Sequence, residues 1–322
     1  MKISKLENQT ISDNATVKVT EMGNVIEIQY MDKRNHKQTV KVLPGGNEYV
    51  IVSTGEVKQC KHHSTRYDNK VSLYKTFKTL RGIINSNVVD VSKVRWCTLT
   101  YADNMQDSKR LYKDFEKFNK RFQYYCKKNN YSKPEYIAVA EPQERGAWHM
   151  HLLYIFPTKA PFISNQDFAN LWGQGFVKIT KLDDVDNVGA YLTAYLGDLP
   201  LNDVDNAVQY IGSRVKIVEE EHNGKKVSKA YVKGARLSLY PSNFNLYRTS
   251  RGIKRPTVSM SSYSKAKEKA LGATKTYSTA YQLTDDSINY NSIVIKEYYN
   301  TKRHNSQKWI VNTDYISQVC LA

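Results

Sequence analysis

The segment EYIAVAEPQERGAWHMHLLYIF, residues 135–156, decides the fold of this chain. Two runs rich in apolar and β-branched residues, 135–141 and 148–156, flank a short stretch that contains Gly146. Runs of this length joined through a glycine-containing turn are typical of an antiparallel β-hairpin. We therefore predict two adjacent strands at the centre of a sheet.

The elements on either side extend this hairpin into a βαββαβα order. A strand at 94–101 and an amphipathic helix at 107–127 precede it, and a helix at 165–172, a strand at 175–181 and a helix at 184–196 follow it. These assignments rest on apolar residues that recur at helical or alternating spacing. The order predicts an α+β fold in which helices pack on one face of a central antiparallel sheet.

Composition divides the 322 residues into four predicted parts. Residues 1–58 form an N-terminal β-rich accessory segment of short strands, and residues 59–200 form the α+β domain, which opens with a basic helix over 69–84. Residues 201–267 form a basic arm, and residues 268–322 form a C-terminal accessory segment of polar turns and short strands.

The charge of the chain predicts a polyanionic partner. Lys and Arg number 48 against 31 Asp and Glu, a net charge of +17. From His222 to Lys267 there is no Asp or Glu, and Tyr231, Tyr240 and Tyr247 interleave with basic residues, which suits phosphates and stacked bases. The alternative is a solvated charged face. The candidate nucleic-acid-binding residues are Lys78, Arg81, Lys233, Arg236, Arg248, Arg251, Lys254 and Arg255.

The location of the protein is predicted to be the cytoplasm, with no membrane partner. The four cysteines show no CxxC spacing, which argues against a zinc ribbon or a disulfide framework. The first residues lack the apolar run of a signal peptide, and mean hydropathy is −0.60.

A candidate metal site lies in the hairpin. His149 and His151 are two apart in a strand, so their imidazoles point to the same face. If the turn is centred near Arg145, Glu141 lies opposite His149 and joins that face, whereas Glu144 is a competing third ligand in the loop. Two nitrogens and one oxygen suit Mn²⁺ and accept Mg²⁺. The alternative is two structural histidines on a sheet face.

A candidate nucleophile pair follows about forty residues later. Tyr191 and Tyr195 are four apart in the predicted helix 184–196, so they share one helix face. Two phenols on one face are able to act in turn on the same phosphate. The alternative places both rings in the core beside Val188 and Leu192.

The order of these motifs resembles motifs I, II and III of the HUH endonucleases. The strand Thr98-Leu-Thr-Tyr101 comes first, then Glu141-Pro-Gln-Glu-Arg-Gly-Ala-Trp-His-Met-His151, then Val188-Gly-Ala-Tyr-Leu-Thr-Ala-Tyr195. Within that superfamily the wording is similar to the rolling-circle replication-associated proteins of bacterial plasmids and phages. The resemblance covers residues 94–198 and extends more weakly into residues 233–252.

The resemblance implies an HUH fold of the ferredoxin or RRM-like type and a rolling-circle replication initiator. Such an enzyme nicks one strand of single-stranded or hairpin origin DNA by tyrosine attack, leaves a 5′-phosphotyrosine and a free 3′-hydroxyl primer, and later religates. A host polymerase would extend the primer. The chain contains no GxxxxGK[ST] motif, so a host helicase would unwind the DNA.

One position departs from the family. Many relatives carry a lysine three residues after the nucleophilic tyrosine, where this chain has Ala194 or Asp198. Lys178 or Lys181 is a candidate substitute, and which tyrosine attacks first stays open. The alternative functions are an HUH relaxase, a two-tyrosine transposase and a non-catalytic DNA-binding protein.

Overall fold

The computed structural model describes residues 2–33, 39–61, 69–143, 145–182, 187–195, 199–201, 215–222, 225–232, 239–286 and 289–302. As predicted, the fold is α+β with several antiparallel sheets. The helices in these ranges are α1 (Lys70–Asn87), α2 (Ser108–Lys128), α3 (Asn165–Trp172), α4 (Val188–Tyr195) and α5 (Tyr263–Lys269).

The strands in the same ranges pair into four antiparallel sheets. They are β1 (Lys2–Leu6), β2 (Thr16–Met22), β3 (Val25–Met31), β4 (Val40–Val42), β5 (Glu48–Ile51), β6 (Val57–Gln59), β7 (Val94–Thr100), β8 (Glu135–Pro142), β9 (Trp148–Ile155), β10 (Val177–Thr180), β11 (Leu199–Leu201), β12 (Val215–His222), β13 (Lys225–Val232), β14 (Tyr247–Thr249), β15 (Thr257–Ser262), β16 (Thr274–Asp285) and β17 (Tyr290–Asn300).

The predicted βαββαβα order is confirmed from β7 to α4. Its strands form a five-stranded central sheet in the order β10-β7-β9-β8-β14. The predicted hairpin is β8 and β9, and the turn between them contains Gly146 at φ 83°, a left-handed conformation that favours glycine. The edge strand β14 comes from the segment predicted as a basic arm and pairs with β8.

Strand alternation gives the central sheet two faces. The face that carries Leu99, Met150 and Leu152 packs against α2 and α3, and we call it the α2 face. The opposite face, which carries Val139 and Leu153, packs against α1 and α4, and we call it the α4 face. The prediction that helices lie on one face is therefore incomplete, because a second helical layer covers the other.

The basic helix predicted over 69–84 is confirmed as α1, which continues to Asn87. Asn69 caps its start, since the side-chain oxygen accepts a hydrogen bond from the Ser72 N–H at 3.0 Å. Further along, Leu80 and Ile84 recur at helical spacing and are fully buried against the α4 face. Burial of this stripe fixes the helix on the sheet.

Helices α1 and α4 are tied together by one buried amide. Asn85 donates from Nδ2 to Asn187 Oδ1 at 2.9 Å, and its Oδ1 accepts from the Gly189 N–H at 2.7 Å. A Cβ at position 189 would lie 2.5 Å from the Arg81 carbonyl oxygen, so glycine permits the close approach. The contact sets the position of the helix that carries Tyr191 and Tyr195.

The two ends of the chain share a second sheet of six strands, ordered β1-β16-β17-β3-β2-β15. Strands from the predicted segments 1–58, 201–267 and 268–322 all contribute to it, around a core that includes Val19, Ile28 and Ile295. The predicted short C-terminal strands are instead the long β16 and β17, of 12 and 11 residues. The four domain boundaries themselves stay predictions.

Helix α1 lies between the central sheet and the six-stranded sheet. Its Gly82 faces Pro256 and Met22, and Lys78 forms an ion pair of 2.6 Å with the buried Glu27 of β3. Two three-stranded sheets complete the described part, ordered β4-β5-β6 and β11-β13-β12. A search of the described ranges for an apolar helix of bilayer-spanning length finds none.

Replacing Asn85 tests the link between α1 and α4. Asn85→Ala removes both bonds and leaves the Gly189 N–H buried without its partner, which we expect to lower the free energy of unfolding by about 1–3 kcal/mol. Urea denaturation measures the loss. Ser86→Ala is the control, because that hydroxyl donates to Gly82 O within α1. Equal losses in the two variants would contradict a specific role for Asn85.

Candidate metal and nucleophile site

The hairpin register brings the three predicted metal ligands to one face. Glu141 pairs directly with His149, as the sequence predicts, and His151 lies two residues further along β9. All three side chains lie on the α4 face, because they share the alternation of Val139 and Leu153. The competing ligand Glu144 lies outside the described residues.

The side chains near His151 form a short hydrogen-bonded chain. The Glu141 carboxylate, 6% exposed, accepts a close hydrogen bond from His151 Nε2. On the other side of the ring, Thr98 Oγ1 lies 3.3 Å from Nδ1, which is consistent with the neutral imidazole protonated at Nε2. The sequence favoured packing for Thr98; its position opposite His151 shows that it also orients the ring.

His149 differs from His151 in having a buried ring nitrogen without a partner. Within the described part of the chain, His149 Nε2 makes no hydrogen bond. An unpaired buried polar atom costs free energy, so such an atom in a native fold indicates a missing partner. A cation is one partner that a neutral imidazole nitrogen accepts.

Burial keeps both imidazoles neutral at pH 7. It lowers the pKa of His149 to about 4, with smaller contributions from His151 and Arg145, and it lowers the pKa of His151 to about 4. Neutral imidazole is the form that binds metals, because the ring nitrogen must offer its lone pair.

The donor set fits a divalent cation, although the ligands are not assembled. Two neutral imidazoles and one carboxylate on one sheet face match the mixed nitrogen and oxygen ligands of Mn²⁺. Among the described residues, however, no three His, Cys, Asp or Glu side chains are arranged as a metal site. Glu141 bonds to His151 instead, so a metal would have to replace that hydrogen bond.

Helix α4 lies over the same face as the histidines. Leu192 and His151 line one small cavity, together with Trp96, Val139 and Ile84 among others. The helical backbone of Tyr191 and Tyr195 is therefore next to the candidate ligands, whereas their side chains lie outside what the structure describes. The structure thus brings the predicted nucleophile helix and the predicted ligands to the same place.

Lys178 is the basic residue that strand pairing places on the α4 face. It pairs with Thr98, which in turn pairs with His151, so the three residues form one row across β10, β7 and β9. Lys178 is exposed, as is the alternative candidate Lys181. Their order along the strand favours Lys178, since the alternation of β10 directs it to the side of the histidines.

The predicted DNA-binding residues on α1 have structural contacts. Lys78 is the cation of the pair with Glu27, which joins α1 to the six-stranded sheet. Arg81 is half-buried, and its carbonyl oxygen lies against Gly189 of α4. The predicted residues Lys233 and Arg236 lie outside the described residues.

The predicted residues after β13 divide between two places. Arg248 pairs with Ala138 and therefore lies on the α2 face, where it stacks on Tyr112 at 3.7 Å and donates to Glu116 at 3.0 Å. The structure thus separates Arg248 from the histidines. A second group is exposed and follows β14 beside the end of α1: Arg251, Lys254 and Arg255.

The three interleaved tyrosines also differ. Tyr240 is fully buried beside Trp148 and Phe244, and its hydroxyl donates to Ala140 O at 3.0 Å. The expectation that Tyr240 stacks on bases is therefore wrong, because its ring is core. The side chain of Tyr231 lies outside the described residues, and Tyr247 is half-buried on the α4 face.

The pKa shifts predict an acid-sensitive fold in the metal-free protein. The unfolded chain binds more protons than the folded one between about pH 6.5 and about pH 4, so stability should fall as pH decreases through that window. A His149→Asn, His151→Asn double variant should show a flatter profile in urea denaturation with EDTA present. A profile as steep as that of the unaltered protein would contradict the assignment.

Comparison with known proteins supports a role in replication for the central domain. Residues 94–199, about a third of the chain, match the family model described as Replication-associated protein ORF2. No curated protein and no solved structure gives a significant match. The matched segment runs from β7 to β11 and contains Glu141, His149, His151 and helix α4. It therefore resembles replication initiators of the Rep type over the part that carries the candidate site.

Proposed function

We propose that this protein initiates rolling-circle replication by nicking one strand of origin DNA in an HUH-type reaction. The observation that carries the proposal is that Glu141, His149 and His151 share one sheet face with helix α4. The segment matched by the replication family contains all of these residues. A replication initiator needs such a combination of phosphate activation and a nucleophile.

Glu141, His149 and His151 would hold the divalent cation, Mn²⁺ or Mg²⁺. When bound, the cation supplies positive charge that neutralises a phosphate and makes it easier to attack. The residues themselves support this role through neutral rings and the unpaired His149 Nε2. Thr98 would hold the His151 ring in the orientation that ligation needs.

Tyr191 and Tyr195 are the proposed nucleophiles. A phenolate oxygen attacks phosphorus, the bond between phosphorus and the 3′ oxygen breaks, and that oxygen takes a proton to become the free 3′-hydroxyl. The 5′ end stays on the tyrosine as a phosphodiester, which a later 3′-hydroxyl reopens without ATP. With two tyrosines, one residue is available to start the cycle and the other to end it.

Lys178 is the proposed cation in place of the lysine that many relatives carry after the tyrosine. Its row position beside Thr98 puts it on the side of the sheet where a phosphate at the histidines would lie. A Lys ammonium there would contact a phosphate oxygen of the substrate strand.

The DNA substrate would lie along the exposed basic segment after β14. Arg251, Lys254 and Arg255 run beside α1, on the helical layer that covers the α4 face. The proposed partners are single-stranded or hairpin origin DNA, a host helicase and a host polymerase.

A non-catalytic DNA-binding protein is the second candidate. The bond between Glu141 and His151 favours it, because in this arrangement the carboxylate serves the fold. The two candidates differ in whether a covalent protein–DNA adduct forms.

Removing the two phenolic oxygens tests the reaction. With labelled single-stranded origin DNA and Mn²⁺, the unaltered protein should carry the label through denaturing electrophoresis, and EDTA should abolish the adduct. If the tyrosines alternate, Tyr191→Phe and Tyr195→Phe should each retain some adduct and the double variant should lose it. If one tyrosine attacks alone, its single variant should be inactive.

The double variant should still bind DNA, because phenylalanine keeps the ring and loses the oxygen alone. Tyr124→Phe, at an exposed position on α2, is the matched control and should form adduct at the normal rate. An adduct from the double variant would remove both tyrosines from the mechanism. Binding without any adduct from the unaltered protein would favour the non-catalytic candidate.

The position of the basic segment predicts which charges contact DNA. Replacing Arg251, Lys254 and Arg255 with glutamine should weaken binding and reduce the slope of log affinity against log salt by about 0.7 per lost contact with a single strand. Fluorescence anisotropy at several salt concentrations measures the slope. The control replaces Lys109, Lys113 and Lys117, three exposed lysines on α2, with glutamine. An equal reduction in both would make the effect one of net charge.

A further inference from the structure

A polar groove lies between α1 and the edge strand β14, outside the segment matched by the replication family. Its volume is about 470 Å³, within the range of about 300–1,000 Å³ that is usual for small-molecule sites. The lining residues are Asn69, Ser72, Lys75, Thr76, Thr79 and Tyr247.

The α1 side of the groove is a stripe of small polar residues at helical spacing. The Thr76 hydroxyl donates to Ser72 O at 2.9 Å and the Thr79 hydroxyl to Lys75 O at 2.8 Å, and a hydroxyl that donates can also accept through its oxygen lone pairs. Short side chains on this stripe leave the space open. Lys75 is exposed, and no acidic residue lines the groove, so its charge is positive.

The opposite wall is the ring of Tyr247, which the strand pairing relates to the candidate metal site. Tyr247 pairs with Val139, and Val139 pairs with His151, so the three residues form one row on the α4 face. Two strand spacings separate Tyr247 from His151, a distance of about 10 Å. Neighbouring nucleotides of one strand bridge such a distance.

We propose that this groove binds a nucleotide of the single strand whose phosphate is cleaved, with the base on Tyr247 and a flanking phosphate on Lys75. The proposal rests on the proposed function, since it takes the cleaved phosphate to lie at His149 and His151. An aromatic ring with an adjacent cation is the usual combination for a single-stranded nucleic acid. The hydroxyl stripe adds hydrogen-bond acceptors for the edge of a base.

Affinity measurements with an inactive protein test the groove independently of nicking. The probe is fluorescein-labelled dT12, bound by the Tyr191→Phe, Tyr195→Phe variant in EDTA. Adding Tyr247→Leu, which keeps an apolar side chain and loses the stacking surface, should weaken binding about 5- to 100-fold. Adding Lys75→Gln should weaken it to a smaller extent and reduce the salt slope by about 0.7.

The matched controls are Tyr124→Leu and Lys117→Gln, both at exposed positions on α2. They should leave the affinity for dT12 unchanged. Photocrosslinking of an oligonucleotide that carries 5-iodouracil should label the peptide that contains Tyr247, and Tyr247→Leu should remove that label. Circular dichroism spectra and urea denaturation verify that each variant folds.

Each outcome separates the groove from the nicking reaction. Unchanged dT12 affinity in Tyr247→Leu, with no crosslink at position 247, would overturn the groove even if the unaltered protein forms a covalent adduct. A crosslink at Tyr247 without any adduct would support the groove and contradict the nicking reaction. If dTMP alone bound as tightly as dT12, the groove would be a mononucleotide site, and the proposal would be overturned.

Discussion

The register of the β8–β9 hairpin is the constraint on which the rest of the structure depends. Strand side chains alternate with a period of two, so a slip of one residue would move Glu141 to the α2 face, away from His149 and His151. The turn fixes the register through hydrogen bonds from the Gln143 N–H to Ala147 O at 2.7 Å and from the Gly146 N–H to Gln143 O at 2.9 Å. The same alternation sends Met150 and Leu152 into the core under α2. Candidate site and core are thus set by one pairing.

Helix α1 extends the influence of that hairpin to distant parts of the chain. Asn85 fixes α4 over the α4 face, and Lys78 joins the helix to Glu27 of the six-stranded sheet. The polar stripe of α1 forms the groove with β14, so a single helix contributes to the nucleophile layer, to the second sheet and to the proposed nucleotide site. This explains why a basic helix predicted to bind DNA carries its charges in two roles. Lys75 lines the groove, whereas Lys78 stabilises the contact between the two sheets.

Local periodicity was sufficient to predict β7 to α4 and the pairing of Glu141 with His149, because each element carries its own alternation and the turn lies between neighbours. Long-range pairing was not predictable, since nothing local in residues 2–6 indicates that they pair with β16. The aromatic residues show the same limit. Tyr240 and Tyr247 look alike between basic residues, but one is core and the other lines a groove. Likewise, Arg248 differs from Arg251 because strand alternation turns it to the α2 face.

The central claim is that the α4 face holds a divalent cation between β8 and β9. Anomalous diffraction from crystals soaked in Mn²⁺ tests it directly. The account predicts one strong peak about 2.0–2.4 Å from a nitrogen of His149, a nitrogen of His151 and an oxygen of Glu141, with the bond between Glu141 and His151 replaced. A map with no peak on this face, and with the Glu141 carboxylate still bonded to His151 at millimolar Mn²⁺, would contradict the account.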